Sequence, residues 1–220
     1  ARGNARIHRE ARAGIQGNVR SFAEPSLNSR AEGRILLDRV SIRDFRNLER
    51  VDLTLPREGA VIVGDNGHGK TNLLEAIYYL QILRSIRDAR DLDLTRFDTQ
   101  GFHISAHAHT PNEHEISVGF DRNSKRKKVL INGAEIRRLS DALGALPSVM
   151  FSPRDLELVS GAPTERRRYL DLVLALTNKT YLQALQHYRA NLARRTAALR
   201  TATRPVSAAH RQQIPDGAPP

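Results

Sequence analysis

The chain has 220 residues and a formal net charge of +11 at pH 7, with 35 lysine and arginine residues against 24 aspartate and glutamate residues. It contains no cysteine, which excludes disulfides, cysteine-liganded zinc and thiol catalysis. Hydrophobic residues make up 40% of it, enough for one or two packed domains. No apolar stretch approaches the roughly 20 residues of a membrane span. The positive excess predicts a polyanionic partner, with nucleic acid as the first candidate.

Composition divides the chain into four segments. Residues 1–34 are polar, arginine-rich and without periodicity, which predicts a disordered or non-native leader. A nucleotide-binding head is expected over 35–150, and a helical lobe over 151–200. Residues 201–220 hold four of the ten prolines, which predicts a disordered tail. Residues 154–200 contain nine basic and four acidic residues, a net charge of +5, so the excess is concentrated there within the expected fold.

The predicted elements begin with three strands, over 35–45, 51–55 and 60–63, the last of them short and buried. An amphipathic helix is predicted over 70–85. Its apolar stripe would consist of Leu73, Leu74, Ile77, Leu80 and Leu83.

The second half of the chain changes from strand patterns to helical ones. Residues 101–138 alternate apolar and polar side chains and are predicted as β structure, ending in a hairpin that turns at Asn132 and Gly133. From Thr164 onward the chain is predicted to be helical, with leucines at near-heptad spacing over 181–200.

The strongest chemical signal is the segment 64–71, Gly-Asp-Asn-Gly-His-Gly-Lys-Thr, which matches the P-loop pattern G-x-x-x-x-G-K-[ST]. A predicted strand precedes it and a predicted helix follows. Its glycines let backbone N–H groups turn towards phosphates, and the helix N-terminus adds partial positive charge. Lys70 would reach the β- and γ-phosphates, and the Thr71 hydroxyl would ligate Mg²⁺. The candidate nucleotide-binding residues are therefore Gly64, Asp65, Asn66, Gly67, His68, Gly69, Lys70 and Thr71.

Three further segments point to a family. Residues 37–48, LDRVSIRDFRNL, resemble the first strand of RecF proteins and of related SMC-like ATPase heads, which carry Phe-Arg-Asn before the P-loop. Residues 153–171, PRDLELVSGAPTERRRYLD, resemble the RecF signature, with Gly-x-Pro followed by Arg-Arg-x-aromatic-apolar-Asp. Residues 71–78, TNLLEAIY, resemble the RecF P-loop helix. The resemblance covers residues 35 to about 200.

This resemblance implies an α/β fold, a partial ABC-type P-loop ATPase head with a mixed β-sheet around the P-loop helix and the start of a helical second lobe. It implies ATP and Mg²⁺ as ligands, and Arg46 and Asn47 beside the nucleotide; the alternative for these two residues is a surface turn between strands.

The resemblance also implies a cytoplasmic, ATP-switched DNA-binding protein of replication, recombinational repair and the SOS response to DNA damage. Its expected partners are double-stranded, gapped or junction DNA, mediators of the RecR and RecO type, and a second copy in a nucleotide-dependent homodimer. Such a protein helps to load recombinase onto single strands.

The chain departs from the RecF pattern in two ways. Arg154 stands where the family usually has an acidic residue. No Walker B strand and no Ser-Gly-Gln-type signature loop follows the P-loop, and residues 35–38, Ile-Leu-Leu-Asp, resemble Walker B but precede it. We therefore expect a truncated chain with weak nucleotide binding and little or no hydrolysis on its own. Glu75 is expected to be a helix-surface or packing carboxylate rather than a catalytic one.

Two weaker patterns have ordinary alternatives. Six arginines of the helical lobe could form a DNA-binding face, or a solvated helix surface. They are Arg166, Arg167, Arg168, Arg189, Arg194 and Arg195. His103, His107 and His109 share one face of a predicted strand, and we interpret them as its solvent face rather than a metal site.

Two other functions remain open on the sequence. One is a small P-loop kinase, for which 220 residues is a natural size. The other is a DNA-binding fragment with a vestigial P-loop that acts without nucleotide. Phosphoryl transfer to an acceptor would favour the first, and DNA affinity that is insensitive to ATP would favour the second.

Overall fold

The structure is a computed structural model that describes residues 19–20, 36–109 and 113–202. These residues fall into two compact units, one that ends at Asp155 and one that begins at Leu156. Most of the predicted leader and of the predicted tail lies outside the described residues.

The first unit contains all the described β structure. Its strands are β1 (Val19–Arg20), β2 (Leu36–Phe45), β3 (Leu48–Thr54), β4 (Val61–Ile62), β5 (Gly101–His109), β6 (Glu113–Asp121), β7 (Arg126–Ile131) and β8 (Ala134–Glu135). Six of them form one sheet in the order β3-β2-β5-β6-β7-β8, and β1 pairs separately with β4. The strand β1 lies inside the predicted leader, so its two residues depart from the structureless segment expected there.

Every pairing between described strands is antiparallel, whereas the sequence led us to expect a mixed sheet. The strands β2 and β3, β5 and β6, β6 and β7, and β7 and β8 follow each other through short connections, which suit antiparallel pairs, while parallel pairs need long crossovers. The predicted hairpin is present, and Asn132 and Gly133 form its turn with φ of 50° and 77°. The α/β class is confirmed.

Three helices accompany the sheet in the first unit. They are α1 (Lys70–Ile82), α2 (Asp91–Leu94) and α3 (Leu139–Ala142). The helix α1 packs against the face of the sheet on which alternate residues of β2, β5 and β6 are buried. At the centre of this core Phe45, Tyr79 and Phe102 make edge-to-face contacts, with ring centroids 5.3 to 6.2 Å apart.

Two details of the predicted burial are wrong. The predicted apolar stripe of α1 included Leu74, but this side chain is 46% exposed because the buried arc of the helix runs through Ala76, Tyr79 and Leu80 instead. The strand over 60–63 was expected to be buried, yet Val61 is 44% exposed. Among the described residues, β4 pairs only with β1 and lies outside the six-stranded sheet, which explains its exposure.

The second unit is helical, as predicted. A 3₁₀ turn over Pro153–Leu156 leads into α4 (Glu157–Ser160), α5 (Pro163–Thr177) and α6 (Lys179–Ala202). Pro163 occupies the first turn of α5, where its missing N–H has no intrahelical partner to lose. No helix of the described residues is long and apolar enough to cross a membrane.

Candidate phosphate-binding site

The P-loop wraps from β4 to the first residue of α1. Gly67 and Gly69 have φ of 85° and 90°, in the region that favours glycine. A Cβ on Gly69 would lie 2.6 Å from Cδ2 of Leu48 and 2.9 Å from Oδ1 of Asn47. Glycine at this position therefore lets the turn before β3 approach the loop closely.

Lys70 is the first residue of α1 and reaches back over the loop. Its Nζ donates hydrogen bonds to the carbonyl oxygens of Gly64, at 2.7 Å, and Asp65, at 2.8 Å. The ammonium group is thus held at the mouth of the loop by two neutral acceptors. An anion that enters the loop would offer it an ionised acceptor instead, and the Coulomb attraction between two opposite charges adds to the hydrogen bond.

A cavity of about 230 Å³ opens at this loop. It is lined by Asn66, Gly67, Gly69, Lys70, Thr71, Asn72 and Arg87. Five of these seven were predicted from the motif, whereas Gly64, Asp65 and His68 belong to the loop but do not line the cavity. Sequence reasoning missed Asn72, which follows the motif directly and so could have been included. It also missed Arg87, which no motif in the sequence marked.

The Phe-Arg-Asn turn places its two polar side chains differently. Asn47 donates from Nδ2 to the carbonyl oxygen of Gly67, at 2.9 Å, and its Oδ1 accepts from Nδ2 of Asn72, at 2.8 Å. It therefore contacts the P-loop directly. Arg46 does not line the cavity; its guanidinium forms a two-pronged ion pair with Glu75, at 2.7 and 3.0 Å.

Glu75 is 1% exposed, so it is a carboxylate packed in the interior and not one on the helix surface. Besides Arg46 it accepts a 2.6 Å hydrogen bond from the Ser85 hydroxyl. Nε of Arg87 lies 3.7 Å from its Oε2. Arg87 also donates to Oδ1 of Asn72, at 3.3 Å, so the guanidinium is held between a buried carboxylate and the lining of the cavity.

The helical unit uses part of the predicted arginine cluster for its own contacts. Arg166 donates to the carbonyl oxygen of Gly161, at 3.0 Å, near the end of α4. Arg189 forms a 3.0 Å ion pair with Asp171 on α5, and Asp171 also accepts a 2.6 Å hydrogen bond from Tyr181 that raises the pKa of that phenol. Arg168 is half-buried, whereas Arg167, Arg194 and Arg195 are exposed.

The three histidines of β5 lie on its exposed face, as predicted. Partial burial and the neighbouring Arg43 guanidinium lower the pKa of His103. Within residues 19–20, 36–109 and 113–202, no three histidine, aspartate or glutamate side chains come together in a way that could hold a metal ion.

Comparison with known families decides the relationship. The model of the RecF/RecN/SMC N-terminal domain matches residues 36–157, which include the P-loop, the Phe-Arg-Asn turn and Arg87. The chain belongs to this family. The resemblance to RecF is therefore confirmed.

Curated relatives of this family member are named DNA replication and repair protein RecF. The chain is 39% identical to the RecF protein of Halalkalibacterium halodurans over 164 residues. This alignment covers 74% of the chain and 44% of the relative. The chain is 40% identical over 160 residues to that of Chlamydia trachomatis serovar D, covering 72% and 43%. The chain thus spans less than half the length of these relatives.

Solved RecF structures have the same fold. A RecF-ATP structure of the RecFOR pathway aligns with a TM-score of 0.71 at 29% identity, over 79% of this chain and 47% of that one. A RecF-ATPrS structure aligns with the same TM-score and identity, over 77% and 46%. The partial ATPase-head fold expected for this RecF-type chain is confirmed.

Proposed function

We propose that this chain is the P-loop part of a RecF-type DNA replication and repair protein, and that the cavity at residues 64–71 binds the triphosphate of ATP. The observation that carries the proposal is the cavity itself. A glycine-turned loop, a helix N-terminus, the Lys70 ammonium and the Arg87 guanidinium converge on it. Backbone N–H groups and cations arranged in this way are suited to phosphate oxygens.

The residues present also fit a magnesium ion bound together with the phosphates. Thr71 belongs to the lining of the cavity and lies in the first turn of α1. A hydroxyl is one of the oxygen ligands that Mg²⁺ accepts when phosphates and waters complete its octahedron. The ion would neutralise phosphate charge, while Lys70, Asn72 and Arg87 orient the phosphates.

We propose that nucleotide binding controls DNA binding, with the helical unit as the DNA-contacting surface. Arg167, Arg194 and Arg195 are exposed, and α6 contains five lysine and arginine residues but no acidic residue. An unpaired arginine fork suits phosphate contacts. Arg166 and Arg189 are assigned to the helical unit's internal contacts instead. Recognition of gapped or junction DNA, RecR- and RecO-type partners, recombinase loading and homodimerisation belong to the same proposal, and rest on the family relationship.

The decisive experiment measures binding of a fluorescent ATP analogue, with Mg²⁺, to the full chain and to Lys70→Ala. We expect the substitution to weaken binding at least tenfold, because one charge-assisted contact to phosphate contributes about 1.5 to 3 kcal/mol. Lys128→Ala is the matched control, since Lys128 is an exposed lysine of β7 that pairs only with Glu135 among the contacts identified for it. It should leave nucleotide affinity unchanged.

The same proteins separate the alternatives when DNA affinity is measured with and without ATP. DNA binding that ATP changes, and that Lys70→Ala makes insensitive to ATP, supports the proposal. Equal DNA affinity of the full chain and of Lys70→Ala, each with and without ATP, would point to a nucleotide-independent DNA-binding fragment. Transfer of the γ-phosphate to an added acceptor faster than hydrolysis would point to a kinase.

A further inference from the structure

Glu75 is the buried centre of a polar network that reaches the lining of the candidate phosphate cavity. Its two oxygens receive the paired donors of Arg46 and the hydroxyl of Ser85, and Arg87 lies 3.7 Å away. The carboxylate is 1% exposed. A buried charge is costly unless it is paired, so this arrangement holds its cationic partners in place.

The network closes on the P-loop through side-chain amides. Arg87 donates to Asn72, Asn72 donates to Asn47, and Asn47 donates to the carbonyl oxygen of Gly67. Asn47 is also the chain neighbour of Arg46, which Glu75 holds. The carboxylate is therefore linked to the cavity by two routes, one through Arg87 and one through the turn that supports the loop.

The two arginines are held with different strength. Arg46 has two short, parallel hydrogen bonds to Glu75, the geometry that fixes a guanidinium most firmly. Arg87 has a 3.7 Å ion pair, a 3.3 Å hydrogen bond to Asn72 and a side chain that is 33% exposed. Arg87 can thus turn its remaining N–H donors to an anion in the cavity without leaving Glu75.

We infer that Glu75 is a positioning residue for phosphate binding, which acts by holding Arg87 at the cavity. This inference rests on the proposed function and adds to it a residue that does not itself touch the ligand. It predicts the direction in which removal of the Glu75 charge changes the affinity for an anion. Removing a negative charge near an anion site strengthens anion binding by Coulomb's law, whereas losing the position of Arg87 weakens it.

The experiment is a double-mutant cycle on the full chain, with Glu75→Gln, Arg87→Ala and the double variant, measured by titration with ATP plus Mg²⁺ and with tripolyphosphate. We expect Glu75→Gln to weaken binding of both probes by about tenfold, against the electrostatic trend. In the Arg87→Ala background the same substitution should weaken binding much less, because only the route through Arg46 and Asn47 then remains.

A second substitution guards against loss of the fold. Glu75→Asp keeps the charge and withdraws the carboxylate by one methylene, so it should weaken binding to an intermediate degree in the wild-type background. Far-UV circular dichroism checks that each variant is folded. Glu135→Gln is the matched control, because it removes the same charge from an exposed carboxylate that pairs with Lys128 and does not line the cavity, so it should change affinity by less than about twofold.

The outcomes are distinct. Tighter or unchanged binding in folded Glu75→Gln overturns the inference and leaves the proposed function standing. Equal weakening in both backgrounds also overturns it, since Glu75 would then act through general stability. A wild-type chain that binds neither ATP nor tripolyphosphate would defeat the proposed function, and this inference with it.

Discussion

Gly67 and Gly69 have nearly the same backbone conformation but different surroundings. Both have φ close to 90°, which an L side chain rarely adopts. A Cβ on Gly67 would meet no atom within 4 Å. A Cβ on Gly69 would collide with Leu48 and Asn47. The first glycine is needed for its conformation alone, and the second for conformation and space together.

Alanine substitutions should separate these two requirements. Gly67→Ala should lower the free energy of unfolding by about 1 to 2 kcal/mol, the cost of a strained backbone at one residue. Gly69→Ala should lower it further, because Leu48 is buried and cannot move aside freely. Urea denaturation of both variants measures the difference. Equal losses would show that the turn before β3 does not press on the P-loop.

At the scale of secondary-structure elements, local periodicity predicted most of the fold. The strand β5 alternates buried and exposed residues without interruption, and the Asn132-Gly133 turn has its own conformational signature. Both signals are contained within a few neighbouring residues. This is why most of the strands, the hairpin and the helical region after Thr164 were predicted from the sequence alone. The strand β1 was not predicted, and β3 begins three residues before the predicted strand.

What the sequence could not predict depends on contacts between distant segments. Leu74 is apolar but exposed, because the sheet determines which arc of α1 is buried. Arg87 carries no motif, and its place at the cavity follows from Glu75 and Asn72, 12 and 15 residues earlier. The P-loop pattern was recognisable because it lies within eight consecutive residues.

Adjacent lysines of β7 show how strongly position on the strand decides the role of a side chain. The side chain of Lys127 is 11% exposed, and its ammonium forms a 3.0 Å ion pair with Asp91. The same group donates a hydrogen bond to the carbonyl oxygen of Leu83 at the end of α1 and lies 4.9 Å from the ring centroid of Tyr79. Lys128 points to the other face and pairs with Glu135 in solvent. Burial, together with Asp91, also raises the pKa of Tyr79.

Lys127→Ala should therefore destabilise the chain by about 3 kcal/mol, because it leaves Asp91 without its ammonium partner and removes a cap from α1. Lys128→Ala should cost about 0.5 kcal/mol, the usual value of an exposed ion pair. Thermal or urea unfolding of the two variants makes the comparison at constant net charge. Similar losses in both would contradict the structural role given to Lys127.

For the whole molecule, the net charge of +11 is a sum over segments with different roles. Residues 154–200 have nine basic and four acidic residues, and within this set α6 has no acidic residue. Arg189 is nevertheless neutralised by Asp171. The positive charge of α6 that is not paired within the described residues is therefore smaller than the composition indicates, and it includes the exposed Arg194 and Arg195.

A matched pair of double variants tests this assignment. Arg194 and Arg195 are exposed neighbours on α6, and Arg137 and Arg138 are exposed neighbours in the first unit. Replacing either pair with alanine removes the same charge, so a general electrostatic attraction to DNA would weaken similarly in both. If α6 contacts phosphates directly, only Arg194→Ala/Arg195→Ala should reduce the slope of log affinity against log salt, by about 2. Fluorescence anisotropy with a duplex oligonucleotide at several salt concentrations measures the slopes. Equal changes of slope in the two double variants would assign DNA binding to net charge rather than to α6.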